Sequence, residues 1–355
     1  MPCPSEPTPT RGTLLNPVNR FEQIAMERDE NWNPDEDPLP QTRFLRDKSQ
    51  TIIAYNDSPD IGFEASINPY RGCEHGCIYC YARPFHEYLG FSSGIDFETR
   101  IMVKEDAPEL LRKELSSRKW KPQVIAMSGV TDCYQPVERK LRLTRRCLEV
   151  LAEFRNPAGL ITKNALVTRD IDVLSELARH HATAVFISLT TLQPGIRKVM
   201  EPRTSPPAAR LDAIRQLSQA GIPVGVMLAP MVPGLTDCEI PSLIQAAVEA
   251  GAKFAGYVAL RLPHAVAPMF ENWLQEHFPD RKEKVLNQVR SMRGGKLYQS
   301  HWGERMRGEG IIAQQMEKLF EVACRRYGIA GGRPQLSTAA FRRIEGGQAE
   351  LNLSL

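Results

Sequence analysis

Six short apolar runs of strand type recur through the middle of the chain, at 62–67, 124–130, 159–162, 183–190, 223–229 and 254–260. Stretches of helical periodicity lie between them, at 137–154, 171–181, 207–219 and 240–250. Strand runs alternating with helical runs predict a parallel sheet with right-handed crossovers. Gly221 and Gly251 each stand just before a strand run, where a helix would end on a left-handed residue. Six units in about 200 residues are too few for a closed eightfold barrel, so the expected fold is α/β, a partial (βα)6 TIM-type barrel. In such sheets the chemistry gathers at the carboxyl ends of the strands.

The flanks differ from this rhythm. Residues 1–55 are polar and proline-bearing, with Pro2, Pro4, Pro7, Pro9, Pro34 and Pro38 and no amphipathic period, and read as a partly disordered arm or one that wraps the domain. The barrel is expected over 56–295. Two more helical runs, 268–278 and 281–292, complete it. A basic helix at about 310–327 and a glycine-rich tail form a C-terminal extension over 296–355. Net charge is +3, unevenly placed: residues 280–355 carry 14 basic and 8 acidic groups. That excess is compatible with a nucleic-acid partner and equally with a solvated helical face. A charged fraction of 25% fits an ordinary globular protein. No apolar stretch approaches the ~18 residues of a membrane-spanning helix, and the first residues lack the pattern of a signal peptide. The expected location is the cytoplasm, with no membrane partner.

Eight cysteines in 355 residues do not suggest a disulfide framework. Three of them, Cys73, Cys77 and Cys80, crowd into Asn68-Pro69-Tyr70-Arg71-Gly72-Cys73-Glu74-His75-Gly76-Cys77-Ile78-Tyr79-Cys80-Tyr81, just after the first strand run. The spacing is C-x3-C-x2-C. Gly72 and Gly76 allow the loop to curl so that three sulfurs face one centre. Thiolates select soft metals: zinc, copper(I) or iron–sulfur clusters. A structural zinc wants a fourth ligand, which His75 or His86 could supply. A [4Fe–4S] cluster on three thiolates leaves one iron open to bind and activate something.

C-x3-C-x-aromatic-C on the loop after the first strand of a six-unit barrel resembles the radical S-adenosylmethionine (SAM) superfamily. The resemblance covers about residues 60–270. It implies a radical SAM enzyme holding a [4Fe–4S] cluster on Cys73, Cys77 and Cys80. S-adenosyl-L-methionine would chelate the open iron through its amino and carboxylate groups. One electron would cleave it to methionine and a 5′-deoxyadenosyl radical that abstracts hydrogen from substrate. It also implies an electron donor such as flavodoxin or ferredoxin. Tyr79 fills the aromatic position that the family places near the adenine.

Several strand ends narrow the resemblance. Ser128-Gly129-Val130-Thr131-Asp132-Cys133 follows the second run and Thr162-Lys163-Asn164 the third. Ile187-Ser188 closes the fourth, with Glu201-Pro202-Arg203-Thr204 beyond it. The set is similar to the spore photoproduct lyase-related branch, in particular its functionally unassigned bacterial group. Lys163 would meet the SAM carboxylate by a charge-assisted hydrogen bond. Ser188 would bond its amino-acid or ribose part, and Thr131 and Asp132 match a hydroxyl–carboxylate pair of the branch. Each of these residue types also suits a cap or turn. Glu201 and Arg203 could instead clamp one another. The lyase places a cysteine hydrogen-atom donor just before its hydroxyl–carboxylate pair. The corresponding position here is about Gly129, which puts photoproduct repair in doubt. Cys133 lies after the pair, near the expected cavity mouth, as a candidate donor whose alternative role is a small buried hydrophobe. The substrate, a small molecule or a macromolecule with nucleic acid among the candidates, is not named by any residue. A small-molecule or protein substrate predicts a cavity capped by the arm or the C-terminal region.

Overall fold

The computed structural model describes residues 11–13, 15–21 and 41–344. Cys3, the first four prolines and the stretch 32–38 lie outside the described residues. Six parallel strands form the barrel wall: β1 (Ala65–Ile67), β2 (Ile125–Met127), β3 (Ala158–Thr162), β4 (Thr183–Ser188), β5 (Val224–Met231) and β6 (Phe254–Ala259), hydrogen-bonded in that order. An antiparallel strand, Ile53–Tyr55, extends the sheet beyond β1, and Ala330–Gly331 extends it beyond β6. The sheet does not close on itself. All six residues of β4 are buried. That is what a strand covered on both faces requires, and it explains the continuous apolar run.

Helices cover the outer face: α1 (Ala107–Ser116), α2 (Leu143–Phe154), α3 (Ile171–Arg179), α4 (Pro207–Gln219) and α5 (Ile240–Glu249). In α2 the buried positions Leu143, Cys147, Leu148, Val150, Leu151 and Phe154 trace one helical stripe. The expected run 137–154 is broken at Arg142, whose φ of 52° ends the short helix Glu138–Leu141 and starts α2. Gly221 and Gly251 have φ of 74° and 104°, as their places before β5 and β6 require. Then α6 (Val266–His277) and α7 (Pro279–Ser291) pack on each other in a second core with Ile78, Tyr79, Met200, Val232 and Leu260.

The described parts of both flanks pack against the barrel. Helix α8 (Gly310–Tyr327) packs on α5, and its Met316, Phe320, Ala323 and Cys324 belong to the main core. Phe320 meets Tyr257 of β6 with ring centroids 4.8 Å apart. The following tail recrosses the amino-terminal side of the strands. Ser337 donates to the His181 carbonyl, Phe341 packs on Phe154, and the Arg343 guanidinium donates to the carbonyls of Leu115, Ser117 and Trp120. At the other end, Arg43–Arg46 pairs with Arg100–Val103, which also pairs with Tyr70–Arg71, in a small separate sheet beside the cysteine loop. Among the described residues no helix is long and apolar enough to cross a membrane.

Because α8 shares the barrel core, Phe320→Ala is expected to lower the stability of the whole domain by about 3 kcal/mol, as for other large-to-small core changes. Urea unfolding followed by circular dichroism should show one shifted transition. A separate early transition with an unshifted main one would mean that α8 folds as an independent unit.

Candidate functional site

The cysteine loop leaves β1 and bends at Gly72 and Gly76, both in the left-handed region with φ of 81° and 67°. A β-carbon on Gly72 would stand 3.0 Å from the Phe97 carbonyl oxygen, and one on Gly76 2.7 Å from the Glu98 carboxylate, so both positions require glycine. Backbone and side-chain bonds fix the curl. The Cys73 amide donates to the Phe97 carbonyl at 2.8 Å. The Gln135 side chain accepts from the Glu74 amide and donates to the Gly72 carbonyl. The buried Arg83 guanidinium caps the Cys77 carbonyl at 3.0 Å and pairs with Glu98 at 2.5 Å. The described arm segment lies directly on this loop. The Gly12 amide donates to Glu98, the Leu15 carbonyl accepts from Ile95, and Asn19 donates to the carbonyls of Glu87 and Phe91. Its backbone approaches so closely that a β-carbon on Gly12 would overlap the Gly76 carbonyl.

Cys73 and Cys77 are buried and Cys80 is half-buried. Burial pushes all three thiols up, and Cys73 is pushed further by Asp132, Cys77 and Cys80. Lys163 works the other way at Cys77 and Cys80, as Arg83 does at Cys80. The three sulfurs therefore share one electrostatic neighbourhood that a bound cation would neutralise, with release of the thiol protons. Among the described residues no three His, Cys, Asp or Glu side chains are gathered as a single-ion site. One tetrahedral ion with metal–sulfur bonds of about 2.3 Å would draw its thiolates together. A cubane gives each thiolate its own iron and tolerates wider spacing. The donor set, three soft thiols with no histidine among them, fits the cluster better than zinc. His75 is taken by the second-strand turn: its Nδ1 stands 3.4 Å from Asp132.

The strand ends bring the other expected residues around these sulfurs. Asp132 accepts from the Lys163 amide at 2.7 Å, from Thr162 at 2.7 Å and from the Tyr134 amide at 2.9 Å. Burial alone would raise its carboxyl; His75, the Lys163 amide and Thr162 outweigh that and hold it at about 2. Lys163 projects its ammonium 5.8 Å from the centre of the Tyr79 ring. Ser188, at the end of β4, is buried, and its carbonyl accepts from Arg210. The Thr131 hydroxyl donates to the Tyr70 carbonyl at 2.9 Å and so ties the turn to the cysteine loop.

Two expectations are corrected here. Cys133 does not lie near the cavity mouth. It is fully buried in the main core, its amide bonded to Ser128 and its carbonyl to Thr144, because the turn that aims Asp132 at Thr162, Lys163 and His75 points the next side chain into the core. Glu201 and Arg203 do not clamp one another. Glu201 pairs with Arg210 of α4, and Arg203 pairs with Glu74 at 3.0 Å.

The sequence pointed to Glu201 only as a partner of Arg203, not as the carboxylate that fixes Tyr79. Its carboxylate is wholly buried and accepts from the Tyr79 hydroxyl and from Arg210. Burial would raise this acid, but Arg210, Lys163 and the Tyr79 hydroxyl keep it low and ionised. The one available signal was Arg210, a charged residue on the inward face of α4. Tyr81, next to Cys80, was also missed; its hydroxyl reaches across to the Gly129 carbonyl at 2.8 Å.

Glu201→Gln leaves the buried Arg210 charge unpaired and should cost about 3 kcal/mol of stability. Chemical denaturation of both proteins measures it, and equal midpoints would show the pair to be dispensable. A second expectation concerns pH. Burial pulls the His86 imidazole from 6.5 down to about 4. The unfolded chain takes up a proton near 6.5 and the folded one does not until about 4. His86 therefore contributes full stability above 6.5, and that contribution is lost as pH falls from there toward 4. Between pH 7 and 4 the wild type should lose about 3 kcal/mol more than His86→Phe. Parallel loss in both would assign the acid sensitivity elsewhere.

Comparison with known proteins agrees with this geometry. The profile of the Radical SAM superfamily matches residues 67–247. An uncharacterized protein of Mycobacterium tuberculosis is 35% identical over 220 residues, 61% of this chain and 65% of that protein. An uncharacterized protein of Methanocaldococcus jannaschii is 27% identical over 228 residues, 64% of this chain and 82% of that protein. The chain thus spans less than two thirds of the length of the mycobacterial relative. Among solved structures, spore photoproduct lyase complexed with dinucleoside spore photoproduct superposes with a TM-score of 0.58 at 16% identity, covering 81% of this chain and 80% of that one. A variant of the same lyase with bound AdoMet and the dinucleoside photoproduct gives 0.56 at 16% identity, with the same coverage. At that identity the likeness establishes the partial-barrel fold alone. With the family profile spanning half of the chain and the C-x3-C-x2-C loop on the first barrel strand, the chain belongs to the radical SAM superfamily of enzymes.

Proposed function

We propose that this enzyme cleaves SAM reductively at a [4Fe–4S] cluster held by Cys73, Cys77 and Cys80 and turns the resulting radical on a compact substrate inside the barrel mouth. The supporting observation is the placement of the three thiols against Lys163 and Tyr79 at the carboxyl ends of the strands. When bound, the cluster and SAM together supply one-electron cleavage to methionine and a 5′-deoxyadenosyl radical that takes a hydrogen atom from substrate.

The chain's own residues hold and orient. Lys163 presents a point charge for the SAM carboxylate, and Asp132 fixes the Lys163 backbone from the second strand end. Glu201 locks the Tyr79 hydroxyl, so the ring offers a fixed face to an adenine. Ser188, buried at the end of β4, would bond the amino-acid or ribose part of SAM. An electron donor such as flavodoxin or ferredoxin would reduce the cluster. A compact substrate is favoured by the way the mouth is covered. The arm lies on the cysteine loop, and residues 298–309 fold over the end of β6, where the Ala259 amide donates to the Met306 carbonyl. The likeness of fold to spore photoproduct lyase supports a second reading, a nucleic-acid substrate. A base would then have to be extruded from its stack at a cost of a few kcal/mol.

The test is anaerobic. Wild-type protein reconstituted with iron and sulfide, reduced with dithionite and given SAM should yield 5′-deoxyadenosine, and Cys77→Ala should not. A preparation that holds zinc and refuses iron would overturn the reading. The substrate classes separate in a binding titration: a nucleic-acid substrate requires DNA or RNA affinity that falls steeply with salt, and the compact-substrate reading expects none.

A further inference from the structure

Arg261 follows β6 at its carboxyl end, where the chemistry of this fold gathers. Its guanidinium carbon stands 5.0 Å from the centre of the Tyr81 ring, the residue adjoining Cys80. Among the described residues the buried Arg261 Nε has no hydrogen-bond partner, and Nη1 meets only the Met306 sulfur at 3.0 Å, a weak acceptor. Arg305 stands nearby and takes the adjacent carboxylate, Asp60, which also accepts from the Gly303 amide at 2.6 Å. Arg293 is buried beside it and bonds only carbonyls, those of Ala259, Leu260 and Glu304. Tyr81 and Tyr298 are its other neighbours, and burial pushes the Tyr81 hydroxyl up. Arg261 and Arg305 thus share one carboxylate, Glu309 acts on Arg293 only from beyond contact, and among the described residues neither Arg261 nor Arg293 has an acidic partner at ion-pair distance.

A desolvated guanidinium without a counter-ion is costly, and folded proteins pair such groups. A planar fork with free donors, at a strand end beside the cluster loop, is suited to bind an oxyanion bidentately. We infer that Arg261 is a specificity-determining residue that receives an anionic group, phosphate or carboxylate, of the substrate. This deepens the radical reading of the same cavity and rests on it. It assigns Arg261 a role apart from Lys163, which stands across the mouth at the end of β3 with the SAM-binding residues.

The probes are inorganic phosphate and acetate, titrated at constant ionic strength into the full-length reconstituted protein with SAM present, with the thermal midpoint as readout. The wild type should show a saturable rise with one or both anions, and the stronger one names the oxyanion class. Arg261→Gln should need about tenfold more anion for the same rise, the equivalent of about 1.4 kcal/mol. Arg261→Lys keeps the charge but loses the fork, should show most of that weakening, and decides the matter if Arg261→Gln does not fold. Arg179→Gln, on the exposed face of α3, should respond as wild type. No saturable response in the wild type, or equal responses in wild type and both Arg261 variants, would overturn the assignment. Iron content and deoxyadenosine formation are measured on the same preparations. Normal values there with an indifferent Arg261 would sink this inference alone, and their absence in the wild type would sink the radical reading instead.

Discussion

The site depends on one buried carboxylate. Glu201 ties three segments distant in sequence: the cysteine loop through Tyr79, helix α4 through Arg210, and the end of β4, whose Ser188 carbonyl the same arginine caps. An ion pair taken wholly out of water gains little net stability, because desolvation cancels most of the attraction. What it gives is geometry. With the tyrosine hydroxyl, the Thr204 hydroxyl and two carbonyls all engaged by the pair, the Tyr79 ring has one place to be. The ring cannot rotate toward solvent without leaving the carboxylate short of a donor. That constraint passes directly to the loop carrying Cys77 and Cys80 on either side of it.

Asp132 plays the parallel part from the second strand end. It gathers Thr162, the Lys163 amide and His75 onto a single carboxylate. A charge-bearing acid is thereby held behind the thiols and Lys163 in front of them. Burial disfavours ionised thiols, Asp132 adds to that at Cys73, and Lys163 opposes it at Cys77 and Cys80. A bound metal would supply further positive charge at the sulfurs.

Much of the fold was legible because it is written locally. The apolar runs and helical stripes of β4, α2 and α4 follow from side-chain periodicity, and the glycines before β5 and β6 mark helix ends by backbone freedom. The cysteine loop was legible for the same reason, since its ligands and glycines lie within nine residues. What could not be read depends on which strand end faces which. Tyr70–Arg71 is a strand only because Arg100–Val103 passes beside it. Arg142 adopts a left-handed conformation with no glycine to announce it. Glu201 meets Arg210 rather than Arg203 because α4 turns one toward the barrel while Glu74 draws the other outward. Cys133 illustrates the limit most sharply, for the turn that gives Asp132 to Thr162 and Lys163 gives the next side chain to the core.

The unclosed barrel gives these separate observations a common physical reason. An open sheet that ends on the short strands Ala330–Gly331 and Ile53–Tyr55 leaves a gap between its two edges, and the gap must be bridged by something other than ladder hydrogen bonds. Here side chains bridge it. Asp60, from the turn beyond the edge strand Ile53–Tyr55, binds Arg305 and the Gly303 amide from the loop after α7. Below that bridge the Tyr81 ring spans from the cysteine loop to the Gly129 carbonyl at the second strand end, with Arg261 lying over it. Lys163 and Ser188 thus stand at the ends of barrel strands, whereas Arg261 and Arg305 stand on loops, Arg305 held by its ion pair with Asp60. Strand ends suit a cofactor that must be placed the same way in every turnover. The loop guanidinium groups are where the proposed anionic part of a substrate would find its partner.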